Sequence, residues 1–184
     1  VQYTAAGGFQ GEISYTLSFL PGGQTVFNSG SPPATGLVYT QTIDCNPPPA
    51  SQQDCLGGST ICGSQGINNN SNNTGDVEDL NLANQGCLTA GERQGTWYYF
   101  SPSSSGTVGF TINPSVNTND YDFAVWGPMT TVDCPPSGPP VRCSFSALTG
   151  NTGLGNGAVD LSEGAAGDKW VSTLNVLVGQ IYIL

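Results

Sequence analysis

The sequence predicts an all-β protein: a jelly-roll-like β-sandwich stabilised by disulfides and preceded by a few strands of another β-module. Three observations carry this. Short runs of β-branched and aromatic residues recur along the chain, each bounded by Gly, Pro, Asn or Ser. Glycine (26) and proline (13) are abundant among the 184 residues, a composition poor for helices, and no stretch shows three turns of amphipathic periodicity. Six cysteines, an even number, sit in a lysine-poor chain, the pattern of a disulfide framework in an exported protein.

The elements follow in order. "EISYTLSFL" (Glu12 to Leu20) alternates Ile13, Tyr15, Leu17 and Phe19 against Ser and Thr, and "GLVYTQTI" follows after a Gly/Ser/Pro stretch. The composition changes at Cys45, where "CNPPPASQQDC" reads as an extended, proline-rich connector. Residues 1–45 supply too few strands for a sandwich of their own and read as the C-terminal part of a preceding β-module. Residues 46–54 form the linker, and 55–184 the main sandwich. Its strands are read in "GTWYYFSP", "GTVGFTINP", "YDFAVWGP", "PVRCSFSA", "KWVSTLNVL" and "GQIYIL", with one helical turn near "VEDLNLAN". The Asn-rich run Asn68 to Asp76 reads as a solvated loop and carries two N-x-S/T sequons, at Asn69 and Asn72. The chain opens on Val1 and stops inside the apolar run "VGQIYIL". It is therefore expected to be a piece of a longer protein, truncated at its C-terminus, with "GQIYIL" as an open sheet edge seeking a strand.

Charge narrows the function. The formal net charge is −10, from 13 acidic side chains against Arg93, Arg142 and Lys169, and there is no histidine. Serine–histidine and cysteine–histidine catalysis and histidine-ligated metals are excluded. Nucleic acid and anionic lipid both require clustered cations, so neither is an expected partner. No apolar stretch approaches the roughly 20 residues of a membrane-spanning helix. The six cysteines allow 15 connectivities, and local pairs are the expected ones: Cys134 with Cys143, Cys62 with Cys87, and Cys45 with Cys55.

The ordered series "PPPASQQDC", "DLNLANQGCL", "GERQGTWYYFSPSSSGTVGFTINP", "NDYDFAVWGP", "PVRCSFSA", "TGNTGL" and "WVSTLNV" through "GQIYIL" resembles a recurring β-domain of large secreted proteins of the Bacteroidota, cargo of the type IX secretion system. That domain is similar to pre-peptidase C-terminal and CUB-like jelly rolls, and the resemblance covers most of residues 45–184. It implies an extracellular or cell-surface accessory module without catalytic activity, flanked by other β-modules or by subunits of a surface assembly.

The sequence offers two kinds of candidate site. Asp120 and Asp122, two residues apart in "NTNDYDFAVWG", share a face if the strand includes them, and like charges so placed favour a bound cation. Calcium suits such hard oxygen ligands, and Asp79 and Glu92 are candidates to join them, as separated acidic residues do in CUB-like domains. The competing account has Asp120 capping a loop, Asp122 accepting backbone bonds, or Arg142 neutralising Asp122. Trp97 and Trp126 are the candidate rings of a glycan-binding face, against the plainer reading that they fill the core. The leading expectation is a structural or adhesive module; the alternative is a carbohydrate- or substrate-binding accessory module of a secreted hydrolase.

Overall fold

In the computed structural model, residues 2–3, 12–18, 25–37, 50–63, 66–69, 75–89 and 91–184 are described. The chain divides into two compact units, Val1–Pro48 and Pro49–Leu184. In the first, β1 (Gln2–Tyr3) pairs antiparallel with β4 (Gly36–Leu37), and β2 (Thr16–Ser18) with β3 (Thr25–Asn28). The Tyr15 and Phe27 rings lie 6.0 Å apart across the second pair.

The second unit is built on a six-stranded sheet. Its strands are β5 (Ser59–Ile61), β6 (Tyr98–Phe100), β9 (Phe123–Met129), β10 (Arg142–Ser144), β12 (Ser162–Glu163) and β15 (Ile181–Ile183), in spatial order β12-β10-β9-β15-β6-β5. The two outermost pairings are parallel and the three inner ones antiparallel. A three-stranded sheet, β13-β11-β8, comprises β8 (Phe110–Ile112), β11 (Thr152–Leu154) and β13 (Trp170–Val171). A separate pair joins β7 (Gly106–Val108) to β14 (Leu174–Val176). The protein is all-β, and two disulfides lie among the described residues.

Burial explains why β9 is apolar at four consecutive positions. Phe123 and Val125 belong to one cluster with Leu154, Val171, Leu174, Val176 and Tyr182, between the large sheet and the two smaller ones. Ala124 and Trp126 face the other way, into a second cluster with Cys55, Leu80, Trp97, Cys143 and Ile183. Side chains alternate along a strand, so a strand covered on both faces must be apolar throughout. The first cluster is locked by ring contacts, Phe100 on Tyr182 and Phe110 on Phe123, each 5.2 Å between centroids. The second is roofed by loops instead of strands.

The run "GQIYIL" is not an open edge. β15 lies between β9 and β6, with Tyr182 and Ile183 buried, and the edges of the sheet are β12 and β5. The expectation of a vacant edge there is corrected: both sides of the strand are already paired. Gly127 makes room for it. With φ at 125° and an added Cβ falling 2.8 Å from both the Ile181 carbonyl and the Tyr182 ring, only glycine fits, and the β9–β15 register shifts in this region.

The single helical turn expected near residues 77–84 forms at its end, where the Gln85 amide donates to the Asn81 carbonyl at 2.9 Å. A short 3-10 turn spans Cys55–Gly57. Asn156 and Gly157, both at positive φ and closed by an Ala158-to-Gly155 bond of 2.9 Å, make the turn after β11.

Candidate functional site: the cross-linked loop layer

The loop roof gathers several chemistry-bearing side chains. Three carboxylates in it accept from backbone amides that no strand satisfies. Asp54 Oδ1 accepts from Asp76 and Val77 at 2.8 and 3.0 Å; Asp79 Oδ2 accepts from Cys55 at 2.6 Å. Glu92 Oε2 accepts from the Asp79 amide at 2.6 Å, while its Oε1 accepts from Trp97 Nε1 at 3.0 Å. Trp97 Nε1 also donates to the Gln53 carbonyl at 3.1 Å, so one indole ties two loops. A buried amide left without a partner is costly, which makes these acidic residues structural acceptors.

Their electrostatics follow from that position. Burial pushes the Asp79 carboxyl up; the Cys55 amide pulls it back, and the Asp54 charge raises it further. Glu92 is likewise raised by burial, against the lowering effect of the Asp79 amide and the Trp97 indole. Burial also raises the Tyr99 phenol, which donates to the Cys55 carbonyl and stands 3.3 Å from Cys134 Sγ.

Asn84 is the centre of the roof and is fully buried. Its Nδ2 donates to the carbonyls of Asp79 and Pro136, both at 2.9 Å, and its Oδ1 accepts from the Asn81 amide at 2.7 Å. Its own carbonyl accepts from Trp126 Nε1 at 2.9 Å. Two disulfides close the layer: Cys55–Cys134, and Cys87–Cys143, which fastens the roof to β10.

The expected cysteine pairs are therefore corrected. Cys134 bonds Cys55 and not Cys143; Cys87 bonds Cys143 and not Cys62; Cys55 is not bonded to Cys45. Cys62 is a free, exposed thiol, and Cys45 lies outside the described residues. Proximity in sequence misleads because the sheet order, not the loop length, decides which segments meet.

The acidic candidates do not converge either. Among the described residues no three Asp, Glu or Cys side chains come together as a metal site would need. Asp79 and Glu92 are in the roof, committed to amides, whereas Asp120 and Asp122 lie ahead of β9 and outside the strand. Desolvation, then the Asp120 charge, pushes the Asp122 carboxyl up to about 6. With Asp79 and Glu92 spent on backbone amides apart from Asp120 and Asp122, the four-residue calcium set does not assemble. Arg142 does not neutralise Asp122: it donates to the carbonyls of Ser172, Val141 and Thr173 at 2.7–2.9 Å, clamping β10 to the β13–β14 connection.

Trp97 and Trp126 are each only 4% exposed and stack on one another with centroids 5.3 Å apart. They are core, and neither presents a ring face to a sugar. Of the sequons, Asn69 is described and its Nδ2 donates to the Tyr98 hydroxyl at 3.0 Å; Asn72 lies outside the described residues. An open concavity of about 580 Å³ lies where β9 turns toward β10, lined in part by Met129, Val132, Asp133 and Pro136. Asp54 and Asn84 were not singled out by sequence reasoning. Asn84 had one legible signal, the Asn81–Asn84 spacing of a side-chain-closed turn.

Fold and site together define a disulfide-cross-linked all-β protein whose polar side chains brace its own loops. Compared with protein-family models, curated proteins and solved structures, the chain has no match. No helix among the described residues is long and apolar enough to cross a membrane.

Proposed function

We propose that the chain is a non-catalytic structural or adhesive module of a large secreted or cell-surface protein exported by the type IX secretion system. One observation carries the reading: the polar side chains of the loop layer, Asp54, Asp79, Glu92 and Asn84, and Arg142 beside β10, are bonded to the protein's own backbone. Such a layer is suited to holding a shape. The two disulfides support an oxidising destination, since such bonds persist outside the reducing cytosol. The sequence resemblance to Bacteroidota cargo domains supplies the export route and the partners, which are neighbouring β-modules or surface subunits.

The test has two arms. The oxidised chain, immobilised on beads, is challenged with intact Bacteroidota cells and with glycan and protein surfaces, and is screened for hydrolysis of glycosides, esters and peptides. Retention on a surface without turnover is expected. Turnover that is lost on Glu92→Gln at preserved stability would overturn the reading. In the second arm, a type IX-competent host should deliver the full-length protein outside with both disulfides formed, and disabling the secretion system should retain it.

A further inference from the structure

The two disulfides interleave along the chain in the order Cys55, Cys87, Cys134, Cys143, with separations of 79 and 56 residues. A force pulling the ends of the second unit apart takes the shortest covalent route. That route enters at residue 55, crosses through sulfur to 134 and continues toward 184, bypassing everything between. Strands β5, β6, β7, β8 and β9 all lie inside the bypassed loop. Cys87–Cys143 offers no shorter route: once the chain has reached 134, residue 143 is only nine positions on.

We propose that Cys55–Cys134 is the tension-carrying bond of the unit, and that Cys87–Cys143 is a reserve link, slack until the first bond opens. This rests on the reading of the chain as a module tethered within a longer protein. Under load, residues 135–184 can be drawn out, β15 included, while the loop of 79 residues stays closed. If the first bond is cut, the route runs through Cys87–Cys143, and the loop still held back shrinks to 56 residues. Each bond has one buried cysteine, Cys55 at 0% and Cys143 at 1% exposure, and one half-buried, Cys134 and Cys87, so extension of the unit increases the access of a reductant to both.

The experiment is single-molecule force clamping of the full oxidised chain, with handles on both ends and Cys45→Ser and Cys62→Ser removing stray thiols. A small dithiol serves as reductant: its thiolate attacks one sulfur, a mixed disulfide forms, and its second thiol closes the ring. Two cysteine thiols and one cyclic disulfide result.

The expected record is a fully extended plateau followed by two lengthenings in fixed order. The first is 79 less 56, about 23 residues or roughly 75–85 Å, and the second about 56 residues or roughly 185–200 Å. Slack-bond reduction occurring first would be silent and leave one step of about 79 residues, which reports the same route. Cys87→Ser/Cys143→Ser should leave the plateau unchanged, whereas Cys55→Ser/Cys134→Ser should lengthen it by the shorter step. A first step of about 56 residues, or a plateau lengthened by losing Cys87–Cys143, overturns the assignment. Step lengths depend on the sulfur route alone, so a chain that adheres to nothing would still give them. The adhesive reading fails separately, in the bead assay.

Discussion

Ile183→Ala tests the central placement of β15. The side chain is fully buried among Trp97, Trp126, Cys55 and Leu80. Truncation removes three carbons, worth ~0.8 kcal/mol each in transfer, or about 2.4 kcal/mol. If the roof does not collapse onto the space, a void of roughly 75 Å³ at ~24 cal/mol per Å³ adds about 1.8 kcal/mol. Two disulfides and the Asn84 bonds hold the roof in place, so the upper end, about 4 kcal/mol, is expected. Urea unfolding of the oxidised chain, followed by tryptophan fluorescence, measures it. All three tryptophans lie in the second unit, and the Trp97–Trp126 stack abuts the mutated site. With a slope of roughly 1–3 kcal/mol per molar, the midpoint should fall by at least about 1 M. Val178→Ala, at an exposed position just before the strand, should move it little. A loss below about 1 kcal/mol for Ile183→Ala, the size expected of an exposed edge, would refute the placement.

Three further outcomes follow from the same geometry. Asn84→Ala strips partners from two carbonyls and one amide in the roof and should cost upwards of about 3 kcal/mol by the same urea assay; a cost near zero would mean the roof does not depend on it. Asp122 is raised from 3.8 to about 6 in the folded state, so its contribution is present below pH 4 and is lost as pH rises through 6. Asp122→Asn should therefore stabilise the protein at pH 7, by at most about 1 kcal/mol because the residue is exposed and solvent screens its charge, and leave it unchanged at pH 3.5; equal effects at both pH values would contradict this. Arg142→Met keeps the stem and removes three bonds to carbonyls, so a loss of about 1–3 kcal/mol in thermal or urea unfolding is expected, independent of whether Asp122 is also replaced.

The strands of the second unit were legible where the chain is aromatic or β-branched, as in "WYYF", "FAVW" and "IYIL". Those unbroken apolar runs also held a further message, burial on both faces, and reading "IYIL" as an open edge overlooked it. Thr152–Leu154 and Ser162–Glu163 give no strand signal in the sequence, because glycine, serine and glutamate carry none, and their pairing comes from neighbours. The cysteine partners were illegible for a related reason. Which loops meet depends on β15 inserting between β6 and β9, a long-range fact that no local spacing encodes. Acidic residues invited a metal reading because charge is visible in a sequence, whereas the amides they accept from are not.

The position of β15 also sets a schedule for folding. Its partners pair across a wide gap: Ile183 sits opposite Tyr99 on one side and Trp126 on the other. Until residue 183 has emerged from whatever pore or ribosome delivers the chain, β6 and β9 have no strand between them, and both apolar clusters lack a member. Early segments must wait, exposed, for the late one. Threaded N-terminus first, the second unit would thus stay unfolded until its last strand arrives, and then close in one late event.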